Sequence, residues 1–156
     1  MQGISANIPI VILAVMLVIA ATGDIRSRRI PNKLNLAIAL LAVPFWVLSG
    51  YALWPDVAMQ VGLGLGAFLL FALLFQLGMM GGGDVKLLAA LALWLPLASL
   101  VKLVVIMSLA GGVLTLLMLV RHKAAKSEGK LEVPYGVAIA FAGMWLIGER
   151  FFYQFG

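Results

Sequence analysis

LLAALALWLPLASLVKLVVIMSLAGGVLTLLMLV, residues 87–120, carries a single charge, Lys102, along its whole length. As one helix, at a rise of about 1.5 Å per residue, it would be about 50 Å long. A bilayer core is only about 30 Å thick. The stretch is therefore expected to break near Pro96–Lys102 into a short fourth span and a longer fifth. Working outward, apolar runs cover about Ile4–Thr22, Lys33–Tyr51, Asp56–Gly78 and Pro134–Phe152. The expectation is an all-α polytopic membrane protein, a bundle of about six transmembrane helices forming one domain over residues 1–156.

Composition agrees. Of the 156 residues 64% are hydrophobic and 11% charged, whereas soluble domains have about a quarter charged. Nothing basic precedes Ile8–Ala21, so this run is expected to be a retained span and not a cleaved signal. The absence of cysteine excludes disulfides, thiol catalysis and cysteine-based zinc sites.

The net charge of +5 points to membrane orientation, not to nucleic acid. Arg26, Arg28, Arg29 and Lys33 follow the first span, Lys86 the third, and Arg121, Lys123, Lys126 and Lys130 the fifth. Only Lys102 and Arg150 lie towards the other side. Nine of the 11 basic residues thus mark one face as cytoplasmic, with the N-terminus outside. His122 is expected to be solvated in the basic 121–133 connection.

Six acidic residues can be weighed singly. Asp56 is expected to cap the third span at the outer interface. Glu128 and Glu132 belong to the polar connection, and Glu149 adjoins Arg150 at the outer end of the sixth span. Asp24, ending the first span, and Asp84, opening the fourth, remain. Two spans separate them, so both carboxylates should lie at the cytoplasmic interface. Ionisable residues at such a depth mark functional sites. Gly81, Gly82 and Gly83 precede Asp84 and would let a peptide approach closely, while Pro134-Tyr135-Gly136 opens the sixth span on the same side. The spaced glycines Gly62, Gly64, Gly66, Gly111 and Gly112 are expected to serve helix packing.

GGGDVKLLAAL (Gly81–Leu91) carries the Gly-x-Gly-Asp signature of membrane aspartyl peptidases. GDIRSRRIPNKLN (Gly23–Asn35) and VPYGVAIA (Val133–Ala140) resemble two further elements of prepilin peptidases, the type IV leader peptidase family. In its short form the chain resembles the CpaA/TadV-type members, which serve tight-adherence (Flp) pili. The resemblance implies an intramembrane aspartyl endopeptidase that removes the short basic leader of type IV-like prepilins or pseudopilins at the inner membrane's cytoplasmic edge. Asp24 and Asp84 match the catalytic aspartates. Gly81, Gly82, Gly83, Lys86, Pro134, Tyr135 and Gly136 are the expected substrate contacts. Partners would be the prepilin and membrane lipid, with no nucleic acid, metal or cofactor. Longer members also methylate the new N-terminus through a cysteine-containing insertion, which is absent here, so no methyltransferase activity is expected. The rival reading is a small proton- or ion-coupled transporter using the same two aspartates.

The chemistry needs one ionised carboxylate to take a proton from water and one protonated carboxyl to polarise the peptide carbonyl. Each residue's own helix suggests the division. Asp84 at a helix N-terminus would be the base, and Asp24 at a helix C-terminus the acid.

Overall fold

The computed structural model describes residues 2–124 and 133–155, with side chains over 7–124 and 133–152. Among these residues the chain forms six α-helices and no strand: α1 (Gln2–Ser27), α2 (Asn32–Leu48), α3 (Ala58–Gln76), α4 (Gly82–Ala92), α5 (Leu97–Ala124) and α6 (Tyr135–Phe155). The stretch Leu53–Val57 is a π-helical turn leading into α3. Three helical segments, Asn7–Ser27, Leu53–Gln76 and Leu97–Ala124, are long and apolar enough to cross a membrane, and α2 is a shorter apolar helix. Their large side chains turn outward: Val15, Leu69, Leu73, Val105, Leu109 and Leu116 are all more than half exposed. A soluble protein would not leave so much contiguous apolar surface in water, but a bilayer solvates it.

The 87–120 stretch breaks, though earlier than expected. α4 stops at Ala92 and α5 starts at Leu97, just after Pro96. Proline has no N–H and blocks continuation of a preceding helix. With 11 residues, α4 is about 16 Å long and reaches only about half-way across a bilayer core. The helix alone is thus shorter than a full span, and the turn over residues 93–96 carries the chain on to the end where Lys102 meets Glu149. α4 is the centre of the bundle, packed on α2, α3 and α6. Val85, Leu87, Leu88, Ala90, Leu91 and Ala92 are all buried. A helix that is apolar all round is satisfied equally by lipid or by surrounding helices, which is why its sequence reads as a span.

Glycine sets two helix ends. Gly50 and Gly78 both have φ of 73°. Their amides and those of Tyr51 and Met79 return to Val47, Phe75, Trp46 and Leu74, which is the Schellman pattern that satisfies terminal carbonyls. α3 stops cleanly at Gln76, and a short connection leads back into α4.

The far end of α4 is clamped to α2. Trp46 Nε1 donates to the Leu93 carbonyl at 2.9 Å, and Trp94 Nε1 donates to the Ile38 carbonyl at 3.1 Å. The Trp94 ring stacks on Phe45 with centroids 5.0 Å apart. Arg150 lies over the Phe45 ring, 5.2 Å from its centroid. At the same end Lys102 pairs with Glu149 at 2.6 Å, joining the start of α5 to the end of α6.

Several expectations need correction. Asp56 does not cap α3 directly; its Oδ2 accepts the Ala52 amide at 3.0 Å and so closes the turn before the helix. Gly62 and Gly66, the Gly-x-x-x-Gly pair, face open space, while Gly64 between them abuts Leu93 of α4. The helical period puts Gly64 on the opposite side of α3 from that pair. Likewise Gly111 packs on Tyr135 and Gly112 faces nothing. His122 is not in a loop, because α5 continues to Ala124 and leaves it half-buried in the last turn. Glu128 and Glu132 lie outside the described residues, as do Lys126 and Lys130.

Candidate active site

The last turn of α1, the segment before α2, the first turn of α4 and the first turn of α6 meet at one end of the bundle. α1 ends where Arg28 takes a left-handed backbone (φ 53°), uncommon for a residue with a side chain. Its amide returns to the Asp24 carbonyl at 2.9 Å. The chain then turns back, and Ile30, 6% exposed, is driven into the gap between α4 and α6.

Two glycines make room for Ile30. A Cβ on Gly83 would lie 3.3 Å from Ile30 Cβ, and one on Gly136 would lie 2.8 Å from Ile30 Cδ1. The close approach that Gly83 permits is thus made by the chain's own Ile30. Gly82 faces the Phe75 ring, and a Cβ on Gly81 would come within 2.9 Å of Asp84 Oδ2. No positive φ occurs at residues 81–83, so this run serves close packing and not an unusual backbone.

Asp84 is the third residue after Gly81, which starts α4. An acid at this position folds back towards the amide of the capping residue, and the Asp84 carboxylate does face the Gly81 amide. Gly81 leaves the carboxylate room in this position, since a Cβ there would make it shift. Asp24 is 5% exposed. Its carboxylate faces the amides of Gly136 and Val137 in the first turn of α6, and a Cβ on Gly136 would come within 2.8 Å of its Oδ2. Oδ2 is buried and has no hydrogen-bond partner. A buried acceptor without a donor costs about 1–3 kcal/mol, and native structures keep few of them.

The two carboxylates lie within electrostatic reach of each other and line one cleft of about 340 Å³. Arg28, Arg29, Ile30, Asn32 and Gly81–Gly83 form the rest of its wall. The division of roles read from each residue's own helix does not survive this geometry. Asp24 ends α1 but faces the N-terminus of α6, so both carboxylates sit at the positive end of a helix.

The remaining predicted site residues fall elsewhere. Lys86 donates to Asn32 Oδ1 at 2.8 Å, leaving its charge on the rim of a neighbouring groove. Pro134 is buried. The Tyr135 ring packs on Gly111 of α5, with 3.0 Å between Cε1 and a Cβ there, and is not part of the cleft wall. Gly136 supports Asp24 from beneath.

Sequence reasoning missed Ile30 and Asn35. Asn35, 4% exposed, donates through Nδ2 to the Gly83 carbonyl at 3.1 Å and so holds the residue before Asp84. The available signal was an amide inside the apolar run LNLAIAL, where a polar side chain is costly unless it has work to do. No group of metal-ligating side chains occurs among the described residues.

The profile of the Type IV leader peptidase family matches residues 11–116, a span that contains both aspartates, the Ile30 segment and the glycine run. The chain belongs to the type IV leader peptidase family. No curated protein and no solved structure matches it. α6, which supplies the turn beneath Asp24, lies beyond the matched span. In this peptidase the site is therefore assembled from both the matched segment and the helix that follows it.

Proposed function

We propose that this peptidase is an intramembrane aspartyl endopeptidase that removes the short basic leader of type IV or Flp-like prepilins at the cytoplasmic face of the inner membrane. One observation carries the reading: Asp24 and Asp84, 60 positions apart in the sequence, line the same cleft.

Two carboxylates so placed cannot both ionise cheaply, so they hold one proton between them. The ionised member takes a proton from water, and the resulting hydroxide adds to the scissile carbonyl carbon. The protonated member donates to the carbonyl oxygen as it becomes tetrahedral. Proton transfer to the peptide nitrogen then lets the C–N bond break, releasing a carboxylate and an ammonium group and leaving one proton on the pair. The exposed Arg26, Arg28, Arg29 and Lys33 gather at this end, which supports a cytoplasmic site and an outer N-terminus. A transporter finds less support. Among the described acids, Asp24 and Asp84 lie at one end of the bundle and Asp56 and Glu149 at the other, with none between to relay an ion.

The test is co-expression with a candidate prepilin. Leader loss with the wild type, abolished by Asp24→Asn and by Asp84→Asn at equal membrane levels, is the expected result. Unchanged processing in either variant would exclude a two-aspartate mechanism.

A further inference from the structure

A second concavity, of about 540 Å³, adjoins the aspartate cleft. α2 and α3 both pack on α4, but neither makes a main packing partner of the other. A groove is left between them, with α4 as its floor. Leu36 and Ala39 of α2, Leu65 and Phe68 of α3, and Ala89 and Leu93 of α4 give it an apolar wall. Leu36 and Leu65 are 59% and 61% exposed, so the groove opens sideways towards lipid. Asn32 lines both the groove and the cleft, making the two continuous.

One polar group breaks the apolar wall. Asn35 lines the groove and uses Nδ2 on the Gly83 carbonyl, while its buried Oδ1 has no partner. The amide orientation is fixed by that bond, since a carbonyl only accepts. The wall of the groove thus holds a spare acceptor just beneath its surface, which an entering segment must part the lining side chains to reach. The first turn of any helix has the opposite surplus, amide N–H groups with no partner inside the helix.

We propose that the α2–α3–α4 groove seats the start of the substrate's apolar helix, with Asn35 Oδ1 accepting one of its first-turn amides and the preceding junction passing Asn32 into the aspartate cleft. The proposal rests on the peptidase reading above. It adds the surface by which an apolar segment is recognised from the bilayer. An acyl chain would fill the apolar part but offers no donor to Asn35. A second copy of this chain would have to offer a helix start at this depth.

The chain has no cysteine, so single introduced thiols report position cleanly. The probe is a designed substrate with a basic leader, a junction and an apolar helix of about 20 residues, carrying one cysteine in the helix's first two turns. Leader loss with the wild type is scored first. Cross-linking then uses the Asp84→Asn background with Leu36→Cys, Leu65→Cys or, on the outward face of α5, Val113→Cys. The expected result is substrate adduct at positions 36 and 65 at least about tenfold above position 113. In the active enzyme Leu65→Trp should raise KM about tenfold with kcat little changed, the signature of lost ground-state binding. Leader loss with equal adducts at all three positions would overturn the groove and leave the peptidase reading intact. Adducts between two copies of this chain at position 65, in place of substrate adducts, would assign the groove to self-association. No leader loss with the wild type would overturn both readings.

Discussion

The two ends of α4 are built from opposite materials. At Leu93–Trp94 the helix is held by two indole hydrogen bonds and a stacked ring, so its polar groups are matched and its neighbours bulky. At Gly81–Asp84 side chains are missing, two carboxylates approach one another, and Asp24 Oδ2 and Asn35 Oδ1 are buried without partners. Unmatched polar groups in a low-dielectric interior are costly, so the second end cannot be the source of the fold's stability. The difference teaches a division of labour along about 16 Å of helix. The tryptophan end fixes where α4 sits, and this lets the glycine end remain frustrated.

The sharpest way to break the comparison is to remove the chemistry alone. Asp84→Asn keeps the shape of the side chain but cannot supply or share the carboxyl proton. Leader cleavage should fall by at least about 10²-fold, while thermal unfolding of the purified protein in detergent stays unchanged or moves upward. A parallel loss of stability would mean that the glycine end also holds the fold.

The converse substitution is at the clamped end. Trp94→Ala removes the stack and the bond to Ile38 and opens a cavity beside Phe45. Losses for such core truncations are about 3–5 kcal/mol. The unfolding midpoint should drop markedly, and activity should follow folded protein. Trp94→Phe keeps most of the ring packing and should cost only about 1 kcal/mol, the value of one hydrogen bond.

Gly136→Ala probes the join between the two aspartate-bearing elements. The new methyl would sit 2.8 Å from both Asp24 Oδ2 and Ile30 Cδ1, so one must move. Because Ile30 is wedged against Gly83 as well, the displacement reaches both carboxylates. Cleavage is expected to fall about tenfold or more through kcat, as a misplacement of about 1 Å can cost 10²-fold. Gly112→Ala, where nothing lies within 4 Å, is the matched control.

Much of this was legible in the sequence, for particular reasons. Asp24 and Asp84 could be paired because an even number of crossings returns the chain to the same side. Although α4 is a short helix, the two helices that separate the aspartates, α2 and α3, run in opposite directions and preserve that parity. What could not be read is where each helix turns its faces. Leu87–Ala92 has the same composition whether lipid or protein surrounds it, so the central place of α4 was hidden. The Gly62–Gly66 pair looked like a packing motif, yet only Gly64 meets a neighbour, because spacing does not tell which side of a lipid-bathed helix carries the partner. Ile30 looked like any apolar residue, and the two glycines that receive it lie 53 and 106 positions away.

The smallest effect is expected at Lys86, and it tests whether the glycine end needs a nearby positive charge. Lys86 lies two residues past Asp84, which suggests a cation placed to steady the carboxylate. Its amine instead bonds Asn32 Oδ1, on the wall shared by the groove and the cleft. An amide at position 86 retains a donor but loses the charge. Lys86→Gln should therefore reduce cleavage only a few-fold, chiefly through KM. Lys86→Met, which loses donor and charge together, should exceed it. If the two variants instead lost kcat to the same large extent, the charge itself would be acting on the aspartates. The glycine end of α4 would then owe its carboxylate chemistry to a cation as well as to the two helix N-termini.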